Sequence, residues 1–266
     1  MRCARLAVPA LLSVMALTSR AEGPAVDPAA RKLAEQELAA HGGAAAWEKA
    51  RYFRFEFNVD FGERKMGPFG HFWDRYTGRY LVVTPGETGM SVWLDVNAPK
   101  DVSKAVAVTA KGERLSGEAL EKALARAYGR FINDSYWLLA PLKAVDPGVH
   151  LSAEGERDFD GRKAEVLKLT FEGVGLTPGD AYWHFLDPTT KRMLGWEYVL
   201  QNTQPPATRW TWTDVADFAG LALSTTKKTA DGKRIFFTNV SVNAPDVARA
   251  LVPPPATAAP VATPAP

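Results

Sequence analysis

Cysteine is almost absent from this 266-residue sequence, and the single example, Cys3, stands at its very start. Beyond residue 21 there is none, which excludes a disulfide framework and any thiol chemistry there. The usual signatures of catalysis are missing too. No G-x-S-x-G elbow, phosphate-binding loop, H-E-x-x-H pair or dinucleotide glycine motif occurs. The four histidines, His41, His71, His150 and His184, are widely spaced and form no local metal-ligand pair. No metal and no cofactor are expected. Long apolar runs are lacking as well: "LAVPALLSVMALT", residues 6–18, is too short to span a bilayer and Pro9 interrupts it. No internal repeat and no Gly/Ser-rich linker divides the chain, so a single domain is expected over residues 22–252.

The short apolar run follows Arg2 and Arg5 and precedes Ser19 and Ala21, small residues at the positions a signal peptidase reads. Residues 1–21 are therefore expected to be a cleaved signal peptide, and the rest periplasmic or secreted. Cys3 precedes the apolar run, where a lipoprotein signal has no use for it. Loss of Arg2, Arg5 and Arg20 takes the formal charge from +2 to −1. Such a near-neutral chain gives no electrostatic reason to expect nucleic acid or an anionic membrane surface as partner. Residues 253–266 are rich in Pro and Ala, uncharged, and expected to be a disordered tail.

Asp27-Pro28 predicts a helix start, with "HGG" from His41 as its end. In "RYFRFEFNVDF" the period changes to two: Phe53, Phe55, Phe57, Val59 and Phe61 share one face of a strand. Further strands are expected at "HFWDRY", "RYLVVT", "MSVWLDV", "AEVLKLTFE", "AYWHFLD", "MLGWEYVL", "ATRWTWTD", "LALSTTKK" and "RIFFTNVSV". Asp160-Gly161 and Asp231-Gly232 suit two-residue hairpin turns, and Thr177-Pro178-Gly179-Asp180 a type II turn. Between the two strand blocks, Leu120, Ala123, Leu124, Ala127, Tyr128 and Phe131 form one helical stripe beginning after Ser116. The fold class expected is α+β, mainly antiparallel β: a curved half-barrel sheet with helices covering its concave face.

The sequence "RFINDSYWLLAPLK", Arg130 to Lys143, follows this stripe. Asn133 is expected to end the helix, Asp134 to cap a following turn, and Tyr136 to Leu139 to tuck beneath the sheet. This segment is either a plug for the core or the wall of an apolar pocket. Phe53, Phe55, Phe57, Trp73, Trp137, Leu138, Tyr182, Trp196 and Trp212 are the ligand-binding candidates if the concavity is open. Asp74, Asp134, Lys143, Asp180 and His184 are candidates for a polar site at its mouth. A hydrolase would need His71 or His184 within hydrogen-bonding reach of Asp74, Asp134 or Asp180. No catalytic residue is assigned.

The pieces "AAHGGAAAW", "HFWDRYTGRY", "RFINDSYWLLAPLK", "FEGVGLTPGDAYWHFLD" and "RWTWTDV", spread from about Ala34 to Val242, resemble bacterial exported proteins of the outer-membrane lipoprotein-sorting type. That resemblance implies an antiparallel half-barrel holding helices in its concavity. The function expected is that of a monomeric, non-enzymatic protein that binds a lipid, acyl chain or acylated protein, with peripheral or transient membrane contact. A hydrolase with an Asp/His site, or an interaction module with a filled core, remain the alternatives.

Overall fold

The computed structural model describes residues 27–172 and 175–255. The expected signal peptide and residues 256–266 of the expected tail lie outside these. The first helix, α1 (Pro28–Ala40), is capped by Asp27, whose Oδ1 accepts the Ala29 N–H at 2.9 Å. It buries Ala30, Leu33, Ala34 and Glu37, one face at helical spacing. The chain leaves it through His41 and Gly42. At Gly42 φ is 120° and a Cβ would stand 2.3 Å from the Gly220 carbonyl oxygen, so only glycine fits. A short helix, α2 (Gly43–Lys49), leads to the sheet.

Five strands follow: β1 (Tyr52–Phe61), β2 (Arg64–Asp74), β3 (Arg79–Thr84), β4 (Met90–Asp95) and β5 (Val106–Thr109). Then comes a 23-residue helix, α3 (Gly117–Leu139). Seven more strands complete the sheet: β6 (Val149–Phe159), β7 (Arg162–Phe171), β8 (Ala181–Leu186), β9 (Met193–Val199), β10 (Thr208–Phe218), β11 (Leu221–Lys228) and β12 (Arg234–Val242). A last short helix is α4 (Asp246–Ala250). All twelve strands form one antiparallel sheet in the order β5-β4-β3-β2-β1-β12-β11-β10-β9-β8-β7-β6. The first and last strands thus meet at its centre, while α3 carries the chain from one edge to the other.

The packing of α3 shows why the sheet must curl. Laid flat, twelve strands would span about 50 Å, while a 23-residue helix is about 35 Å long. Yet Phe131 packs on Trp73 and Tyr80 of β2 and β3, and less than two turns later Trp137 packs on Trp196 and Trp210 of β9 and β10. Tyr136 reaches Phe171 and Tyr182 on β7 and β8. One helix touches such distant strands only because the sheet wraps around it. Phe53, Phe55, Phe57 and Val59 line that concave face, each less than 6% exposed. Burial of such side chains contributes about 1.5–3 kcal/mol apiece.

Parts of the convex face are covered too. Val247 and Leu251, in and just after α4, pack on Leu81, with Tyr52, Phe72, Val83 and Trp93 around them, and the Trp93 indole N–H donates to the Ala250 carbonyl at 2.9 Å. On the other half, Phe159, Val166 and Phe185 form a small outer cluster. Glu197 sits over it, accepting hydrogen bonds from Arg157 and Arg209 at 2.6–2.8 Å.

Several local expectations are corrected. Asn133 does not end the helix and Asp134 does not cap a turn. Both lie inside α3, which continues to Leu139 and stops in a tight turn holding Pro141. Asp231-Gly232 is not a two-residue hairpin. It belongs to a wider loop closed by the Thr229 N–H on the Lys233 carbonyl at 3.0 Å. The Thr177–Asp180 turn closes at 3.0 Å, but Gly179 lacks the positive φ of a type II turn. Glycine is needed there because a Cβ would stand 2.7 Å from the Gln201 side chain. By contrast, Asp160 and Gly161 both have positive φ, 53° and 79°, as a tight primed turn requires.

Candidate functional site

Two carboxylate–imidazole pairs fasten the helices to the concave sheet. In the first, Glu37 of α1 faces His184 of β8, with Oε1 and Nδ1 2.9 Å apart and both side chains fully buried. In the second, Asp134 of α3 faces His71 of β2, with Oδ2 and Nε2 3.1 Å apart though off the ideal hydrogen-bond line. Each histidine occupies an inward position of an aromatic strand, and each acid an apolar-phase position of its helix. Polar groups in those places survive burial only when paired.

Around Asp134 the pair extends into a network. Arg130 Nη1 donates to Asp134 Oδ2 at 3.1 Å, and Asn133 Nδ2 donates to Oδ1 at 2.7 Å. On the far side His71 Nδ1 lies 2.7 Å from the Tyr80 hydroxyl. With the His71 proton on Nε2, facing the carboxylate, Nδ1 accepts the tyrosine O–H. Burial drives the imidazole pKa below its ordinary value, outweighing Asp134, and pushes the Tyr80 phenol well above its own. His71 is therefore neutral and Tyr80 a hydrogen-bond donor. The sequence Tyr–His–Asp has the connectivity of a hydrolytic relay, and His71–Asp134 meets the geometric condition set for one. His71 and Tyr80 nevertheless lie among Phe55, Trp73 and Phe131, at most 1% exposed, where no substrate reaches them. The arrangement links α3, through Asp134, to β2 and β3, through His71 and Tyr80.

Directly beside the network the surface opens into a cleft of ≈ 540 Å³ between α3 and the β3–β4 hairpin. Its walls include Val82, Met90, Val92, Ala123 and Ala127, with Thr84, Thr88, Arg126, Arg130 and Asn133 among the polar groups and Asp134 in its lining. A second depression of ≈ 540 Å³, near the β6 edge, is lined by Arg31, Asp146, His150 and Glu172 among others. His150 and Glu172 pair there at 2.9 Å. Among the described residues no group of three or more His, Cys, Asp or Glu side chains is placed to hold a metal ion. No described helix is long and apolar enough to cross a membrane.

The expected ligand contacts take different places. Phe53, Phe55, Phe57, Trp73, Trp137, Leu138, Trp196 and Trp212 are buried in the concave core and Tyr182 is half-buried beside them, packed on one another around α3. None lines either cleft. The expected polar site is not assembled, because its five members have separate partners. Asp74 takes Arg51 at 2.9–3.0 Å, Lys143 takes Asp146, and Asp180 accepts from Thr177 and from the Gln201 backbone. Asp134 and His184 belong to the two helix pairs.

Arg130, Tyr80, Glu37, His41 and Lys227 were not among the site residues expected from the sequence. For the first three the signal was a polar residue in phase with an apolar stripe. The cleft itself has no sequence signal, since its walls come from three separate stretches.

No family model and no curated protein matches the sequence. Solved structures do match. A DUF1329 family protein from Desulfovibrio piger is 11% identical, with 81% of this chain and 94% of that chain covered and a TM-score of 0.47. An outer membrane lipoprotein-sorting protein domain from Vibrio parahaemolyticus is 11% identical, covering 83% and 97%, at 0.40. A LolA superfamily protein from Nitrosomonas europaea is 10% identical, covering 82% and 95%, at 0.39. Structural neighbours of this chain therefore include a DUF1329 family protein and proteins of the lipoprotein-sorting, LolA-superfamily type.

Proposed function

We propose that this chain is a non-enzymatic binding protein for an acyl chain, presented by a lipid or an acylated protein, and that the chain lies in the cleft between α3 and the β3–β4 hairpin. The observation that carries this reading is the cleft itself, ≈ 540 Å³ in volume, floored by Val82, Val92, Ala123 and Ala127, each at most 3% exposed, with half-buried Met90 the apolar side chain that opens furthest into it. Pockets of this size and lining suit small apolar ligands, and each methylene buried contributes about 0.8 kcal/mol. The concave aromatics then serve as the packed bed on which α3 rests, rather than as the contact surface. In this reading the mature protein is a single-domain monomer of the periplasm, which meets membranes only in passing.

Native mass spectrometry of residues 22–266 taken from the host periplasm, followed by organic extraction, tests it. A co-purifying lipid or acylated protein is the expected result. A protein that arrives empty and shows no mass shift with fatty acids or phospholipids overturns the reading.

A further inference from the structure

The charge of the cleft is as distinctive as its shape. Arg126 lies exposed on its rim, and its neighbours one turn away on α3 are Lys122 and Arg130. Lys122 pairs with Glu118 and Arg130 with Asp134, so neither leaves an acid for Arg126, which has no ion-pair partner among the described residues. The one carboxylate in the wall, Asp134, already accepts from Arg130 and Asn133 and has His71 Nε2 3.1 Å away. Arg130 is held in place from two sides, by Asp134 and by the Phe69 ring, 3.3 Å beneath its guanidinium carbon. One cation is pre-positioned and the next is free, at the edge of an apolar wall.

We propose that the cleft selects an amphiphile with one anionic head, a carboxylate or a phosphate. Arg126 and Arg130 hold the head by charge-assisted hydrogen bonds, while the chain runs along Val82, Met90, Val92 and Ala127. This rests on the acyl-chain reading and adds the head group to it. A neutral lipid tail fills the same wall but leaves Arg126 without a partner.

The test is titration calorimetry of residues 22–266 with dodecanoate, dodecyl phosphate, dodecanol and inorganic phosphate. Arg126→Gln and Met90→Trp are the variants; Arg126 is exposed and Met90 is half-buried at the edge of the core, so an unchanged thermal midpoint is required of each before its affinities are read. Both acids are expected to bind at least about tenfold more tightly than the alcohol. Arg126→Gln brings them towards the alcohol's affinity without changing the alcohol. Met90→Trp weakens all three chain compounds.

Equal binding of acids and alcohol, untouched by Arg126→Gln, overturns the head-group inference and leaves the acyl-chain reading standing. No binding of any chain compound removes both. Inorganic phosphate binding as tightly as dodecyl phosphate makes this an anion site without a chain, and chain binding indifferent to Met90→Trp places the ligand elsewhere. Either result overturns the inference.

Discussion

Asp134, from the last third of the central helix, and His71, from the second strand, meet 3.1 Å apart in an interior where neither is more than 1% exposed. The carboxylate also takes Arg130 and Asn133, and the imidazole also takes Tyr80. Removal of Asp134 leaves the buried His71 nitrogen facing nothing and strips Arg130 and Asn133, which still reach water, of their shared partner. Asp134→Ala is expected to cost about 3–5 kcal/mol in urea unfolding. His71→Phe costs less, because Asp134 keeps two donors and the new ring stacks on Phe55 as the imidazole does. Equal losses in the two variants would show that the network is not centred on the carboxylate.

Acid should weaken the fold through its histidines. His41 Nδ1 lies 2.7 Å from the Ala222 carbonyl, and its Nε2 accepts the Met193 N–H at 3.1 Å, an arrangement only the neutral ring satisfies. Burial pushes its pKa below the usual 6.5, against Glu37 and with Arg192 and His184, and His71 moves the same way. The unfolded chain therefore takes up protons first as pH falls below 6.5, so this stability is complete above that pH and drains away beneath it. Asp74 adds a lower window. Burial alone would raise its pKa, but Arg51 and Thr77 hold it at about 2, so its contribution is lost as pH falls from 3.8 to about 2. Urea midpoints are expected to drop from pH 8 to pH 5.5, and to drop less in His41→Asn. An identical drop in that variant would exclude His41 as a cause.

Gly195 owes its identity to crowding rather than to backbone freedom. A Cβ there would stand 2.3 Å from the Trp210 carbonyl oxygen and 2.5 Å from Phe159 Cζ. The carbonyl sits in the β9–β10 ladder, where it has little room to retreat. Gly195→Ala should cost about 3 kcal/mol and loosen Phe159. A thermal midpoint unchanged from wild type would show that the two strands separate freely.

Lys227 runs against the usual rule for cations. Its ammonium nitrogen is wholly buried 4.3 Å from the centre of the Trp212 ring and 4.5 Å from that of Phe237, and its one hydrogen bond goes to the Ser224 carbonyl. Burial drives its pKa well below 10.5. The unfolded chain thus holds a proton that the folded chain gives up, a penalty that is absent above pH 10.5 and grows as pH falls beneath it. Lys227→Met, similar in volume, should stabilise the fold by about 1–3 kcal/mol at pH 7. A loss of stability instead would mean that the amine's hydrogen bond to Ser224 and its contacts with the two rings outweigh the cost of burying it.

Strands whose inward positions are aromatic were readable at once, because a period of two over Phe53, Phe55 and Phe57 has no other explanation. The β6 strand was not, since it lies at the sheet edge and its "SAEGERD" core is polar on both faces, as an unpaired edge tolerates. The four-residue β5 was too short to show a period. Asn133-Asp134 read as a helix end because both residues favour one in isolation. A buried histidine on a strand distant in sequence kept Asp134 helical, and local propensity carries no word of that. The same holds for the cleft, whose walls meet only when α3 crosses the sheet.

Phe53 pairs with Val242 and Asp60 with Arg234 where the first and last strands meet. The two blocks of the sheet are therefore joined by a seam that closes a loop of more than 170 residues, one of the costliest contacts the chain has to make. Neither block finishes its centre alone: until the final strand is free, β1 and β11 each present a raw edge. A chain released in stages, as through a narrow pore, would hold two open half-sheets until β12 emerged, and would depend on shielding during that interval.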